Sequence, residues 1–373
     1  MPRLKIVHLS SVHPRYDNRI LLKQCCSLSN AGHEVSLIVA DGKGEEIFQG
    51  VKIYDVGESK NLLNRMLVKA FAVYTKANQL NPDVYQIHDP ELLPYAFILS
   101  RRGKKVIYDV HEDYVTGIGQ KKYLPEFLKG IVARGFNSIE KFFSKKCTVI
   151  LAEKYYQERF PAGHLVLNYP VLSTSGHEGT DTYPIQVAGK ELIYTGNVTE
   201  VRGAFTQSKI IKALPDVKIT FIGYCPSELA EKMKEIAGPH SENLEIIGKG
   251  EFIPFAEIKK KYVEKSWVAG LAIFPKTPHY EKKELTKFFE YMANGLPIIC
   301  TNFPVWKKLI EGNDCGIAVD PNDIGEIKEA INRLYEDKSL RERMIKNGKR
   351  LSQSKFNWEV EKKHLLEIYS NLK

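Results

Sequence analysis

The chain has 373 residues, 43% hydrophobic and 10% aromatic, with 54 Lys and Arg against 45 Asp and Glu for a formal net charge of +9. That length exceeds what one hydrophobic core usually serves, so two domains are expected. No stretch reaches the roughly 18 apolar residues that a membrane-crossing helix needs. The opening Met-Pro-Arg-Leu-Lys-Ile-Val-His-Leu carries too short an apolar run for a signal peptide, and the expected location is the cytoplasm. Cys25, Cys26, Cys147, Cys225, Cys300 and Cys315 lack C-x-x-C spacing and include an adjacent pair, so they read as reduced thiols.

In chain order, strand-like runs at 4–9, 35–39, 52–56, 84–87, 105–108 and 148–152 are interleaved with helical patterns at 19–31, 61–80 and 121–146 and a further apolar segment at 92–101. The alternation predicts a parallel sheet with helices on both faces, and ligands at the carboxyl ends of its strands. Ser, Thr, Gly, Pro and acidic residues then dominate, which makes 1–168 a first domain and 169–190 a linker. The second series, 191–355, places strands at 192–194, 218–222, 244–247, 268–274 and 298–300. Its helices fall at 204–214, 227–237 and 255–264, and those at 323–335, 339–353 and 358–372 finish the chain.

Through residue 168 there are 24 Lys and Arg against 17 Asp and Glu, so the basic character belongs to the first domain. Within it, 121–146 holds seven basic and two acidic residues among Leu124, Phe127, Leu128, Ile131, Val132, Phe136, Ile139, Phe142 and Phe143. Such a helix suits an anionic membrane surface, and an ordinary core-facing helix with a basic edge has the same spacing. No zinc, helix-turn-helix or RNA-binding signature accompanies the charge, which argues against nucleic acid.

Chemistry concentrates at 275–300. Phe288, Phe289, Tyr291 and Met292 form the apolar face of a short helix that also carries Lys287 and Glu290, with Gly295 ending it and Pro297 opening the next strand. The first turn, around Leu285, Thr286 and Lys287, offers backbone N–H groups and a dipole to a diphosphate, and Glu290 offers two oxygens to a ribose. An exposed i, i+3 ion pair is the plainer alternative. In Tyr194-Thr-Gly-Asn-Val-Thr-Glu-Val-Arg-Gly203, Gly196 lets backbone approach a ligand and Arg202 brings a guanidinium, although a glycine turn with a surface arginine reads the same way.

In the first half, His88 with Asp89 and then His111 stand at successive strand ends. The loop 10–19 leads into a helix that Asp17 or Asn18 is suited to cap. The glycine segments at 42–44 and 248–250 lack P-loop spacing, no G-x-G-x-x-G follows the first strand, and neither D-x-D nor H-E-x-x-H occurs. ATPase and dehydrogenase chemistry are therefore disfavoured. Without a metal motif, Arg202, Lys287 and the helix dipole would have to stabilise a leaving group.

With these residues in hand, the chain resembles the family 4 retaining glycosyltransferases, the group 1 glycosyltransferases of the GT-B fold, over nearly its whole length. The resemblance rests on the first strand and its loop, Gly32-His-Glu-Val35, His111, Gly196-x5-Arg-Gly203 and Lys287-Phe-Phe-Glu-Tyr-Met-Ala-x-Gly-Leu-Pro297. It implies an α/β architecture of two doubly wound Rossmann-like domains facing a central cleft, with a terminal helix, 356–373, crossing back onto the first. It implies a catalytic set of His111, Arg202, Lys287 and Glu290. Glu290 would grip the donor ribose, Arg202 and Lys287 the diphosphate, with Gly196, Asn197, Glu284, Leu285 and Thr286 around them, and His111 would lie by the transferring sugar. Asp17, Asn18, Arg19, His88 and Asp89 are the acceptor-side candidates.

Two departures bear on the donor. Lys282 stands where many members have glutamate, with Glu281 or Glu284 as substitutes, and Asn197 stands where they have arginine. The Gly-Gly loop common after the first strand is also absent. The implied reaction is retaining, metal-independent transfer from a nucleoside diphosphate sugar, a co-substrate, to a glycan or lipid-linked saccharide, with no resident cofactor, in bacterial surface polysaccharide assembly. A GT-B epimerase or phosphorylase, and a noncatalytic nucleotide- or glycan-binding protein, are the alternatives.

Overall fold

The computed structural model describes residues 2–119, 124–172 and 187–372. The chain divides into two compact units, one formed by Met1–Asn168 with Trp358–Lys373 and the other by Tyr169–Asn357.

The first unit holds β1 (Lys5–Leu9), β2 (Glu34–Val39), β3 (Glu46–Phe48), β4 (Val51–Asp55), β5 (Val84–Ile87), β6 (Lys105–Val110), β7 (Thr148–Leu151) and β8 (His164–Leu165). Their order in the sheet is β3-β4-β2-β1-β5-β6-β7-β8, parallel throughout except for the β3–β4 hairpin. The central strands are buried along nearly their whole length, which is why they read as Val, Ile and Leu runs without polar alternation. One face packs Ile6, Val35 and Leu37 against Ile20, Leu21 and the terminal helix Trp358–Asn371. Trp358 donates from Nε1 to Ser27 Oγ at 2.8 Å, so that helix is part of the first unit's core. The other face packs Val7, Tyr85 and Val106 against Val73, Leu93 and Ala96. The order of strand addition reverses between β1 and β5, which run parallel, so the loops after those two strands open at a topological switch point.

The hairpin strand β3 does not follow from hydrophobic pattern, being only three residues long. Its signal is the turn: Gln49 and Gly50 have φ of 47° and 81°, the two left-handed positions of a type I′ hairpin. The helix Glu126–Ser144 turns part of its apolar stripe outward. Phe127, Ile131, Ile139 and Phe142 are 77%, 59%, 57% and 58% exposed, while its buried members are Glu140 and Ser144. Glu140 is held inside by the Tyr108 hydroxyl at 2.7 Å and by Arg159. The stripe is therefore divided, with Leu128, Phe136 and Phe143 half-buried and Phe143 packed on the first unit's core. Lys121 and Lys122 lie outside the described residues.

The second unit holds β9 (Lys190–Thr195), β10 (Val217–Cys225), β11 (Leu244–Lys249), β12 (Ala269–Ala272), β13 (Ile298–Thr301) and β14 (Gly316–Val319). The order is β11-β10-β9-β12-β13-β14, all parallel, with the switch between β9 and β12. β14 and the helix Pro304–Ile310, four and seven residues long, are not among the elements expected from the sequence. Gly203, with φ 82°, begins the helix Ala204–Ala213, and a side chain there would collide with the Ile273 carbonyl.

Candidate functional site

At the switch point of the second unit, β9 ends in Tyr194 and Thr195 and turns at Gly196, whose φ is 91°. The Asn197 carbonyl accepts from the Tyr194 hydroxyl at 2.9 Å and from Arg202 Nη1 at 3.4 Å, and the Asn197 residue is exposed. Arg202 also donates from Nε to the Tyr280 hydroxyl at 2.9 Å. The helix Thr286–Ala293 starts at Leu285, whose side chain makes no capping bond, and whose carbonyl takes the Phe288 amide at 3.0 Å, which leaves the Thr286 and Lys287 amides at the helix start.

Lys287 lies in that first turn and is only 7% exposed. Its Nζ stands 3.4 Å from the centre of the Tyr194 ring and 5.2 Å from that of Phe274, with no hydrogen-bonding acceptor among the described residues. Burial, and then the neighbouring Arg202 charge, hold this amine well below the ordinary lysine range against the pull of Glu290. Glu290, half-buried one turn later, accepts from the Tyr262 hydroxyl at 2.8 Å, and Tyr262 in turn contacts Thr195 Oγ1 at 3.0 Å. Arg202, Lys287 and Glu290 are thus one electrostatically coupled cluster, and the exposed ion-pair alternative does not describe it. Glu284 is half-buried and Thr286 exposed beside the helix start. Sequence reading passed over Tyr194, Tyr262 and Tyr280, since nothing along the chain signals that their hydroxyls or rings reach these charges.

The first unit's switch point carries a different chemistry. Asp109 at the end of β6 takes a two-pronged bond from Arg19, Nε to Oδ2 at 3.0 Å and Nη2 to Oδ1 at 2.7 Å, plus one from Gln24 at 2.8 Å. His88 Nδ1 lies 3.1 Å from the same carboxylate, and its Nε2 lies 2.9 Å from His8 Nδ1. Arg19, His88 and Asp89 are 3%, 1% and 0% exposed, so each bonds to protein and none offers a surface to a ligand. Asp17 caps the helix Asn18–Cys25 by accepting from the Arg19 and Ile20 amides, both at 2.8 Å. Asn18 is half-buried. His111 is the residue of this group nearer the surface, its side chain 10% exposed, with Nε2 3.1 Å from His13 Nε2.

Among the described residues, His88, Asp109 and His111 present possible metal-ligand atoms within 4.8 Å of one another. The guanidinium of Arg19 already occupies both oxygens of Asp109, so a divalent cation there would meet a fixed positive charge. The donor set does not fit a metal.

Two family patterns match, Glycosyl transferases group 1 over residues 181–351 and Glycosyltransferase Family 4 over residues 18–156. The chain belongs to this glycosyltransferase family. A curated relative, spore coat protein SA of Bacillus subtilis (strain 168), is 26% identical over 190 residues, 48% of this chain and 49% of that protein. The chain therefore matches about half the length of that relative. Among solved structures, sucrose-phosphate synthase from Thermosynechococcus elongatus superposes with a TM-score of 0.76 at 14% identity, covering 99% of both chains. A glycosyltransferase from Rickettsia africae ESF-5 gives 0.72 at 13%, covering 100% of this chain and 99% of that one. Anabaena HepE in complex with UDP and glucose gives 0.72 at 13%, covering 99% and 100%. These likenesses establish the GT-B fold of this glycosyltransferase. At its departures from the family pattern, Lys282 is exposed and Glu281 pairs with Lys276 at 3.2 Å.

Proposed function

We propose that this glycosyltransferase moves a sugar from a nucleoside diphosphate sugar to a glycan or lipid-linked saccharide, with retention at the anomeric carbon and without a metal. The observation that carries the reading is Lys287, a buried amine with no hydrogen-bond acceptor among the described residues, beside Arg202 and a helix start that no side chain caps. Charging a buried amine is costly, and a diphosphate would offset that cost with help from the amides at the helix start. Glu290 would take the ribose hydroxyls, with Tyr262 fixing one carboxylate oxygen. Gly196 and Asn197 would border the phosphates, and His111 would stand beside the transferring sugar. Binding of UDP by Anabaena HepE, a protein of the same fold, agrees with a nucleotide donor.

Retention fits a site where the departing phosphate oxygen takes the acceptor proton and no carboxylate attacks the sugar. The chain's residues then contribute position and electrostatic stabilisation. The acceptor is displayed on an anionic membrane at the cytoplasmic face, as in bacterial surface polysaccharide assembly. Support comes from the outward apolar residues of Glu126–Ser144 together with Lys129, Arg134 and Lys141, and from exposed Leu63, Leu67 and Phe71 on the preceding helices. Phe71 meets Tyr95, and Phe142 meets Phe97, with ring centroids 6.3 and 5.4 Å apart, so helix Leu93–Arg101 touches both sets.

The test is donor consumption with UDP-, GDP- and ADP-sugars, with and without membrane extract as acceptor source. Acceptor-dependent release of a nucleoside diphosphate, with the product's anomeric configuration matching the donor's, is the expected result. Turnover without any acceptor would favour an epimerase or phosphorylase, and nucleotide binding without turnover would leave a binding protein.

A further inference from the structure

The loop after β1 and the tips of β5 and β6 hold two histidines whose contacts require one more proton than two neutral rings carry. His111 Nδ1 lies 3.0 Å from the Asp109 carbonyl oxygen, which only accepts, so that nitrogen bears a hydrogen. His13 Nδ1 lies 2.8 Å from Asp89 Oδ1 as an ion-pair contact that is not aligned as a hydrogen bond, and 3.4 Å from Ser10 Oγ. The Ser10 hydroxyl spends its hydrogen on Asp89 Oδ2 at 2.8 Å, so towards His13 it can only accept, and this nitrogen bears a hydrogen too. The remaining Nε2 atoms face each other at 3.1 Å. Two lone pairs at that separation repel, so a hydrogen lies between them, and the pair becomes a monocation.

The surroundings are built for that charge. Asp89 Oδ2 also accepts from the Ser11 and Val12 amides at 2.6 and 3.2 Å. Burial alone would raise the Asp89 carboxyl, but the His13 contact and the Ser10 and Ser11 donors hold it down at about 2. Burial likewise disfavours a charged His13, yet Asp89, then Asp17 and Glu112, lift it to about 9. Glu112 Oε1 stands 3.9 Å from His13 Nε2. His111 faces Asp109 at 3.7 Å, with His88, Arg19 and His13 as its positive or protonatable neighbours. Burial, opposed by Asp109 and assisted by those three, lowers its own affinity for a proton. The extra proton therefore resides on His13, donated to His111 Nε2.

We propose that His13 is the positioning residue of His111: the two rings share one extra proton between their Nε2 atoms, Asp89 is the counter-ion, and this bond fixes the His111 ring at the tip of β6. The inference rests on the reading of His111 as the group beside the transferring sugar. It implies that sugar transfer weakens at high pH, when the pair gives up its proton and the ring is released, while donor binding in the other unit is unaffected.

Two measurements on the full chain test it. Histidine-selective 15N spectra between pH 6 and 10, with His13→Gln for assignment, should show both His13 nitrogens protonated at pH 7.5 and a transition near 9. A His13 transition near the ordinary value of about 6.5, or a bare ring nitrogen at pH 7.5, would overturn the shared proton. In donor turnover with UDP-glucose, GDP-mannose and ADP-glucose, His13→Ala should lower kcat roughly 10- to 100-fold at unchanged donor KM. His13→Gln, whose amide N–H can still reach His111, should recover most of that loss and abolish the alkaline limb. Glutamine faring no better than alanine, or KM moving with kcat, would overturn the positioning role. The spectra do not depend on turnover: if they agree and no donor is consumed, the shared proton stands and the sugar-transfer reading, with the positioning role that rests on it, falls.

Discussion

Lys287 sets the sharpest expectations at the scale of single residues. Its amine is buried and held below the ordinary lysine range, so a bound diphosphate recruits the charged form and binding takes up a proton wherever the free enzyme's amine is neutral. Calorimetry of UDP, GDP and ADP at pH 8, where phosphate second ionisations near about 6 are complete, should give apparent enthalpies that vary with buffer ionisation heat. Lys287→Met should remove that variation and weaken nucleotide binding more than about tenfold. Arg202→Ala and Glu290→Gln should each weaken nucleotide binding about tenfold, read by the same titration. In the first unit, His13 has a folded-state pKa of about 9, above the ordinary value of 6.5. Its stabilising contribution is therefore complete below pH 6.5 and lost as pH rises through about 9. Melting curves should lose part of their stability between pH 7 and 9.5, and His13→Gln should flatten that loss. The site's charged members were legible because Lys287, Glu290, Arg202 and His111 sit in recognisable spacings. Their partners were not, since His13 and His111 are 98 positions apart and Arg202 and Tyr280 are 78 apart.

Elements show where pattern arguments succeed and where burial overrides them. The buried central strands announce themselves as apolar runs, and Gly203 and Gly295 punctuate helices at left-handed positions, with φ of 82° and 68°. Gly203→Ala should cost about 1 to 3 kcal/mol or more, because it strains the backbone and drives a methyl group against the Ile273 carbonyl; denaturant melts with a lowered midpoint at unchanged slope would show it. The helix Glu126–Ser144 is the instructive failure. Its spacing is equally that of a core helix, and only the fold reveals that Phe127, Ile131, Ile139 and Phe142 face out, Phe143 packs on the core and Glu140 is buried. Phe127→Glu with Phe142→Glu should leave the melting temperature nearly unchanged, since both side chains are exposed, and should abolish flotation with liposomes containing anionic lipid. A drop in stability instead would mark the stripe as a packed surface. Short pieces such as β3, β14 and Pro304–Ile310 give too few positions to stand out from the connections around them.

For the whole molecule, two parallel sheets with central switch points put the reactive groups at strand ends, and that much of the GT-B class was readable from the alternation of strands and helices. What the alternation leaves open is which chemistry each switch point holds. Here one is cationic, built on Lys287 and Arg202, and the other is a histidine and carboxylate network anchored on Asp109 and Asp89. The central claim is that the cationic one grips a diphosphate. Thermal melting of the intact chain with UDP, GDP, ADP and CMP, each against Lys287→Met, tests it most directly, because only a ligand that prefers the folded state raises the midpoint. At least one diphosphate should raise the midpoint of the native chain, CMP should do so less, and the variant should not respond. No response to any nucleotide, or an equal response from the variant, would contradict the account.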